Sequence, residues 1–359
     1  MFLGWKEIKH AKLRYGLIIG VLVLVSYLVF VLSGLANGLK DLNREAVDSW
    51  GASAIILTAD SDISLPSSSF SLAEGKKIDV PEKNKAYLGN LSTVIQKVKT
   101  EDKEKVSIFG IDEKSFVMPE LSSGKAFSKI GEVVAADALK EDGYKVGDTF
   151  KVASSDKKVT IVGFTPKAKF NAAPVLYTSM DTYQDIKFDR IAEDDNFAIN
   201  AIALKGNKAS KVDVNSDFEV TTTETFIEKL PGYSAQSLTL NFMIIFLFVI
   251  VSIIIAIFLY VLTIQKVSMF GVMKAQGISS GFLARSVVAQ TFILAFIGVV
   301  IGFGLTAITG AALPAAVPIS IDYITLVFYA ILFIIVAIIG ALVSVRTIVK
   351  IDPLKAIGG

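Results

Sequence analysis

Apolar residues are gathered in three blocks, Tyr15 to Leu35, Phe242 to Thr263 and Phe282 to the C-terminal end, around a long region of ordinary mixed polarity from Lys40 to Ser237. The first block, YGLIIGVLVLVSYLVFVLSGL, carries no charge and reaches the roughly 20 residues a helix needs to cross about 30 Å of hydrocarbon. A cleaved leader is the alternative, with LANG at Leu35 to Gly38 as its end, but the apolar run exceeds the roughly 7–15 residues of a leader core. The second block, NFMIIFLFVIVSIIIAIFLYVLTIQK, is equally apolar. The third divides where Pro314, Pro318 and Asp322 interrupt it, leaving Arg285 to Ala311 and Tyr323 to Arg346 as further spans. The pattern predicts four transmembrane helices.

Between the first two spans the pattern changes period. Ser53 to Thr58, Lys105 to Ile111, Lys158 to Phe164, Pro174 to Thr178 and Ile199 to Leu204 are short runs of β-branched, aliphatic or aromatic residues and predict strands. Glu132 to Lys140 and Met180 to Ile186 predict short helices, so the region reads as an α+β domain. Ser61 to Ser71 and Asp112 to Lys125 are rich in Ser, Pro and Gly and predict loops. NGLKDLNREAVDSW extends the first span as a helical stalk with no Pro. A second stalk, ETFIEKLPGYSAQSLTLNF, leads into span two and is broken at Pro231 and Gly232.

Charge fixes the expected orientation, because cationic flanks stay on the cytoplasmic side. Lys6, Lys9, Lys12 and Arg14 precede span one, Lys266, Lys274 and Arg285 separate spans two and three, and Arg346, Lys350 and Lys355 follow span four. The loop between spans three and four has neither Lys nor Arg. Both termini are therefore expected in the cytoplasm of a plasma-membrane protein, with the large domain outside. Phe2, Leu3, Trp5 and Ile8 among the N-terminal lysines predict a helix lying along the membrane surface, and His10 on that flank is read as a surface residue.

Composition removes several function classes. The chain has 52% hydrophobic residues, a net charge of +2, no cysteine and one histidine. That leaves no thiolate metal site, no disulfide framework and no basis for nucleic-acid binding. There is no GxxxxGK(S/T) phosphate loop, and no catalytic pair is expected. Span interiors carry almost no ionisable residue, which argues against an ion channel or proton relay. GLIIG at Gly16 to Gly20 and GVVIG at Gly298 to Gly302 have the spacing that lets membrane helices approach closely.

One span, a large outer domain, then three spans is the plan of the FtsX/MacB-type ABC permeases, and the motifs agree with it. QKVSMFGVMKAQGIS, Gln265 to Ser279, resembles the family's cytoplasmic coupling segment, K-x-x-x-x-G-x-x-K-A-x-G, matched by Lys266, Gly271, Lys274, Ala275 and Gly277. GEVVAADALKEDGYKVGDTF followed by KKVTIVGF resembles the family's periplasmic core domain, with Gly147 and Asp148 in its turn, and IDPLKAI, with Asp352 and Pro353, resembles its ending. The implied division is 1–37 for the surface helix and span one, 38–237 for the outer domain and stalks, and 238–359 for spans two to four with the coupling segment 265–279. LPGYSAQSLTLNFMI and MFLGWKEIKHAKLRYGLI are most similar to the haem-efflux branch of Gram-positive bacteria.

The resemblance implies a homodimeric, ATPase-free permease, bound to two copies of a separate ATPase that holds the ATP. Haem would be taken from the bilayer as transported substrate, with no permanent cofactor and no metal site. Met269, Phe270, Val272 and Met273, flanked by Lys266 and Lys274, offer an apolar face for docking on that ATPase. A haem site needs aromatic faces and at least one basic or hydroxyl partner for the propionates; with or without a protein ligand to the iron, the residue types left for that role are Tyr and Met. Tyr233 beside the Pro231–Gly232 break, Trp50 at the end of stalk one, Phe170 among Lys167 and Lys169, and Met243 near the outer end of span two are the candidates. An exporter of a lipid, lipoprotein or antimicrobial peptide, or an FtsX-like regulator transmitting force to a cell-wall hydrolase, shares the same architecture.

Overall fold

The computed structural model describes residues 12–97, 103–153, 155, 157–313 and 317–349. The expected surface helix with Trp5 and His10, the C-terminal Asp352 and Pro353, and Pro314 lie outside the described residues. In chain order the elements are α1 (Lys12–Ser49), β1 (Ala54–Thr58), β2 (Phe70–Ser71), α2 (Leu72–Lys76), β3 (Lys85–Lys97), β4 (Lys103–Ile111), β5 (Ser123–Gly124), β6 (Glu132–Ala136) and α3 (Ala138–Glu141). They continue with β7 (Thr149–Val152), β8 (Lys158–Thr165), β9 (Lys169–Phe170), β10 (Ala173–Ser179), α4 (Met180–Phe188), β11 (Ala198–Ile199), β12 (Ala201–Leu204) and β13 (Phe218–Thr222). Last come α5 (Thr223–Glu228), α6 (Tyr233–Gln265), α7 (Val267–Ala275), α8 (Ser280–Ala312) and α9 (Tyr323–Val349). The chain forms two compact units, Lys40–Gln236 and Met1–Leu39 with Ser237–Gly359.

Lys40–Gln236 is built on an 11-stranded sheet ordered β13-β1-β12-β3-β4-β10-β6-β8-β5, with β7 against β3 and β8, and β9 against β10. The pairs β4–β10 and β6–β8 are parallel and the other pairs antiparallel. The 13-residue β3 joins the sheet together, pairing β12 through its first residues, β4 along its middle and β7 at its end. Gly89 and Gly110 face each other across β3 and β4, and a Cβ on either would collide with the buried Tyr183 ring of α4. Two glycines in strands thus give up side-chain packing to admit one large aromatic.

Around that ring runs a buried polar network. The Tyr183 hydroxyl donates to Asn200 Oδ1 at 3.0 Å, Lys187 Nζ donates to Tyr183 at 2.6 Å, and Asn200 Nδ2 donates to the Leu65 and Ser68 carbonyls at 3.2 and 2.8 Å. Burial lowers the Lys187 ammonium pKa and raises that of the Tyr183 phenol.

The expected helix from Glu132 to Lys140 is corrected. Glu132–Ala136 is the strand β6, and only Ala138–Glu141 is helical. VVAA is buried completely, paired by β10 on one side and β8 on the other. A strand buried on both faces loses the alternation that identifies it, so a short apolar run is ambiguous by pattern alone.

Among the described residues of the second unit, four helices, α1, α6, α8 and α9, are long and apolar enough to cross a membrane. Gly298 and Gly302 of α8 lie against Leu22 and Ser26 of α1, where a Cβ would clash. The Ser26 hydroxyl donates to the Gly298 carbonyl at 3.1 Å. Farther along, the Tyr27 and Thr309 hydroxyls share a hydrogen bond at 2.9 Å, and Ser320 N donates to the Gly34 carbonyl at 3.0 Å. Gly38 meets the Pro318 backbone, so the segment before α9 rests in a glycine notch of α1. Gly16 and Gly20 face open space instead.

Gly302→Val should therefore destabilise the helical unit by about 1–3 kcal/mol through overpacking, read as a lower melting temperature of the purified protein. Gly20→Val has nothing in the chain to displace, and an equal loss from it would show that the α1–α8 contact is not the cause.

Candidate functional site

Helix α1 runs without a break to Ser49, so Arg44, Glu45 and Asp48 lie in its last two turns, Arg44 and Asp48 at i,i+4. The Arg44 guanidinium gathers three partners. Nε and Nη2 donate to Asp48 at 2.7 and 3.0 Å, one turn away, while Nη2 and Nη1 donate to Glu224 of α5 at 3.0 and 3.4 Å. Nη1 also donates to the Tyr233 hydroxyl at 3.2 Å. Hydrogen bonding to Asp48 is the main cause of an Arg44 pKa raised above its ordinary value, so the guanidinium stays charged.

Tyr233 opens α6 immediately after Pro231 and Gly232. Gly232 has φ +78, a backbone setting that a Cβ would strain, and Tyr233 N donates to the Leu230 carbonyl at 3.1 Å, closing the turn. Arg44 therefore ties the end of α1 to both α5 and the first residue of α6.

The turn carrying Phe170 docks on the same stretch of α1. Asn171 N and Ala172 N donate to the Asn43 and Leu42 carbonyls at 3.2 and 2.9 Å, and Lys167, Asn171 and Ala172 all have positive φ. Burial raises the Glu45 pKa, opposed by Lys169 and Lys167 nearby.

Three of the four expected ligand residues meet in one place, but as core. Trp50, Phe170 and Tyr233 belong to a single buried cluster, exposed by 1%, 4% and 6%. Phe109 stands between two of them, edge-on to Trp50 at 5.3 Å and to Phe170 at 5.3 Å, with Tyr177 stacked on it at 6.0 Å. Trp50 and Phe170, expected as ligand residues, are large flat rings that fill the core beside the sheet. Met243 lies on α6 in the helical unit and is 48% exposed.

Arg44 and Glu224 were not read as site residues from the sequence. Arg44 and Asp48 stand at i,i+4, a detectable helical ion pair, but Glu224 is 180 residues away and carries no local signal.

The segment Gln265 to Ser279 contains the nine-residue α7, started after Lys266 and ended at Gly277 with φ +88. Its faces differ. Met269 and Val272 are exposed, at 42% and 43%, whereas Phe270 is buried with Leu283 and Val287 of α8, with Met273 packed alongside. Phe270, expected on the docking face, instead anchors the helix to the bundle. Lys266 Nζ donates to Tyr15 Oη at 3.2 Å, joining the start of α7 to α1.

The chain matches two family models, the MacB-like periplasmic core domain over residues 15–214 and the FtsX-like permease C-terminal domain over residues 241–353. It is 29% identical over 368 residues to a protein of Staphylococcus haemolyticus whose name assigns it to a hemin transport system as permease HrtB, covering 100% of this chain and 99% of that one. An equally named protein of Staphylococcus epidermidis is 27% identical over 363 residues with the same coverage. Among solved structures, the periplasmic region of MacB from Actinobacillus actinomycetemcomitans aligns over 48% of this chain and 90% of its own, at 12% identity and a TM-score of 0.35. By its two family-model matches, the chain belongs to the FtsX/MacB-type ABC transporter permeases, transport subunits that work with an ATPase partner.

Proposed function

We propose that this permease exports haem from the membrane, as a homodimer served by two copies of its ATPase, with both termini in the cytoplasm. The observation that carries the reading is the end-to-end similarity to the two staphylococcal proteins named for hemin transport. Chemistry at the knee of the second stalk is compatible with it. Haem presents an apolar ring, two propionates and an iron. Tyr233 offers a phenolic oxygen, and tyrosine is a known type of haem ligand, while Arg44 beside it offers a permanent cation for a carboxylate. With Trp50 and Phe170 committed to the core, they support the site from behind without stacking on the ring. Met243 is a second, separately testable ligand.

ATP-driven movement would reach this knee through α1. A helix uninterrupted from Lys12 to Ser49 transmits rotation where a Gly/Ser linker would not. The partner ATPase would be gripped through the exposed Met269 and Val272 of α7, between Lys266 and Lys274, with Gly271 and Gly277 allowing close approach and helix termination.

Cells carrying Tyr233→Ala at normal expression are expected to become haem-sensitive, and the purified protein to show a changed haem absorption band. Full protection would remove Tyr233 from the site, and an unchanged band in Tyr233→Ala combined with Met243→Ala would exclude both as iron ligands. Met269→Asp with Val272→Asp should abolish recovery of the ATPase with the permease. Phe270→Ala should instead lower the melting temperature by opening a cavity worth about 3–5 kcal/mol. Four Gly/Ser residues inserted after Lys40 should leave expression intact and stop export; normal export would dispose of the lever.

A further inference from the structure

The parallel pair β4–β10 ends in register, Ile111 beside Ser179, and the chain leaves β4 into the loop from Asp112 and β10 into α4. The crevice beyond the carboxyl ends of parallel strands is a recurrent place for ligands, because the two following connections separate there. In this domain the crevice is a groove of about 460 Å³. That is within the range of a binding pocket and larger than any one side chain. It is not used by the proposed haem site.

Its floor and rim differ in chemistry. Ile111, Phe127 and Leu72 form a buried apolar floor, with Tyr87, Met180 and Phe197 as partly exposed walls. The exposed rim carries Asp112, Glu113 and Asp181 against Lys114, three carboxylates to one ammonium. Two of these carboxylates follow β4 and the third opens α4, so negative charge borders the apolar floor on two separate elements. An anionic ligand would be repelled by both. A neutral apolar one would leave the rim unused.

The rim is held in place by the backbone. Asp112 Oδ1 accepts from Lys114 N at 2.8 Å, and the Ser179 hydroxyl caps α4 by accepting from Thr182 N at 3.2 Å. On the facing side, Glu132 accepts from Ser128 N and Lys129 N at 2.8 and 3.1 Å, which fixes the turn after Phe127 and depresses the Glu132 pKa, chiefly through the Ser128 bond. A preformed groove loses little entropy on binding.

We infer that this groove binds a short cationic peptide segment, seating bulky apolar side chains on the Ile111–Phe127–Leu72 floor and basic side chains against the carboxylates on the two sides. The inference is independent of the haem reading, which concerns a different part of the domain.

The test uses the full-length protein in phosphatidylcholine nanodiscs and two N-terminally fluorescein-labelled peptides, KFLKFL-amide and its charge-reversed twin EFLEFL-amide, followed by fluorescence anisotropy against empty nanodiscs. The cationic peptide is expected to bind and the acidic twin to bind at least about tenfold more weakly. Glu113→Lys combined with Asp181→Asn should weaken the cationic peptide by about tenfold or more at an unchanged melting temperature. Equal binding of both peptides, or an affinity unmoved by the double variant, would overturn the proposal. If the variant fails to fold, the wild-type protein still decides the matter: a benzoylphenylalanine in the cationic peptide should crosslink to the segments around Met180 or Phe197, and crosslinks confined elsewhere would sink it.

Discussion

Inside hydrocarbon no water is present to satisfy a peptide group, so every backbone N–H and C=O there must find its partner within the protein. Long uninterrupted helices meet that demand locally, and α1, α6, α8 and α9 do so. Apolar side chains add little preference of helix for helix over lipid, so close packing has to come from shape. That is why the glycines of α8 matter: Gly298 and Gly302 let Ser26 reach a backbone carbonyl on the neighbouring helix. The same device recurs where the Pro318–Ser320 segment meets Gly34 and Gly38.

The outer domain solves a different problem by a related route. Its sheet is long and mixed, and β3 has to serve several neighbours along 13 residues. Gly89 and Gly110 open a window in that sheet for Tyr183, whose hydroxyl then joins Lys187 and Asn200 to the turns at Leu65 and Ser68. The partly buried Lys187 ammonium among neutral acceptors is supplied with the Asn90 carbonyl, the Tyr183 hydroxyl and Asn200 Oδ1. The network therefore favours one docking of α4 over alternatives.

The last turns of α1 carry Arg44, whose planar guanidinium makes two bonds to each of two carboxylates and one to a phenol, more than the three donors of a lysine could supply. Beneath it the aromatic cluster around Phe109 provides a rigid base. Trp50 and Phe170 are packed away from solvent within this cluster.

By itself the sequence determined the four spans, because about 20 apolar residues in a row have no comparably stable alternative to crossing. It also determined the stalk continuing α1, since nothing between Gly38 and Ser49 breaks a helix, and the stop at Pro231 and Gly232. Motif spacing carried the family. Tertiary structure alone decided the rest, for reasons visible residue by residue. VVAA became a strand because two neighbours cover it, not because of its own pattern. Phe270 turned inward because α8 supplies Leu283 and Val287 as a pocket. Of two glycine pairs with the same spacing, Gly298 and Gly302 meet a helix and Gly16 and Gly20 do not. Arg44 acquired Glu224 and Tyr233 only when the chain folded back across 180 and 189 residues. Local periodicity reports which face of an element is apolar; which neighbour that face meets is set by long-range packing, and the chemistry of this site depends on those neighbours.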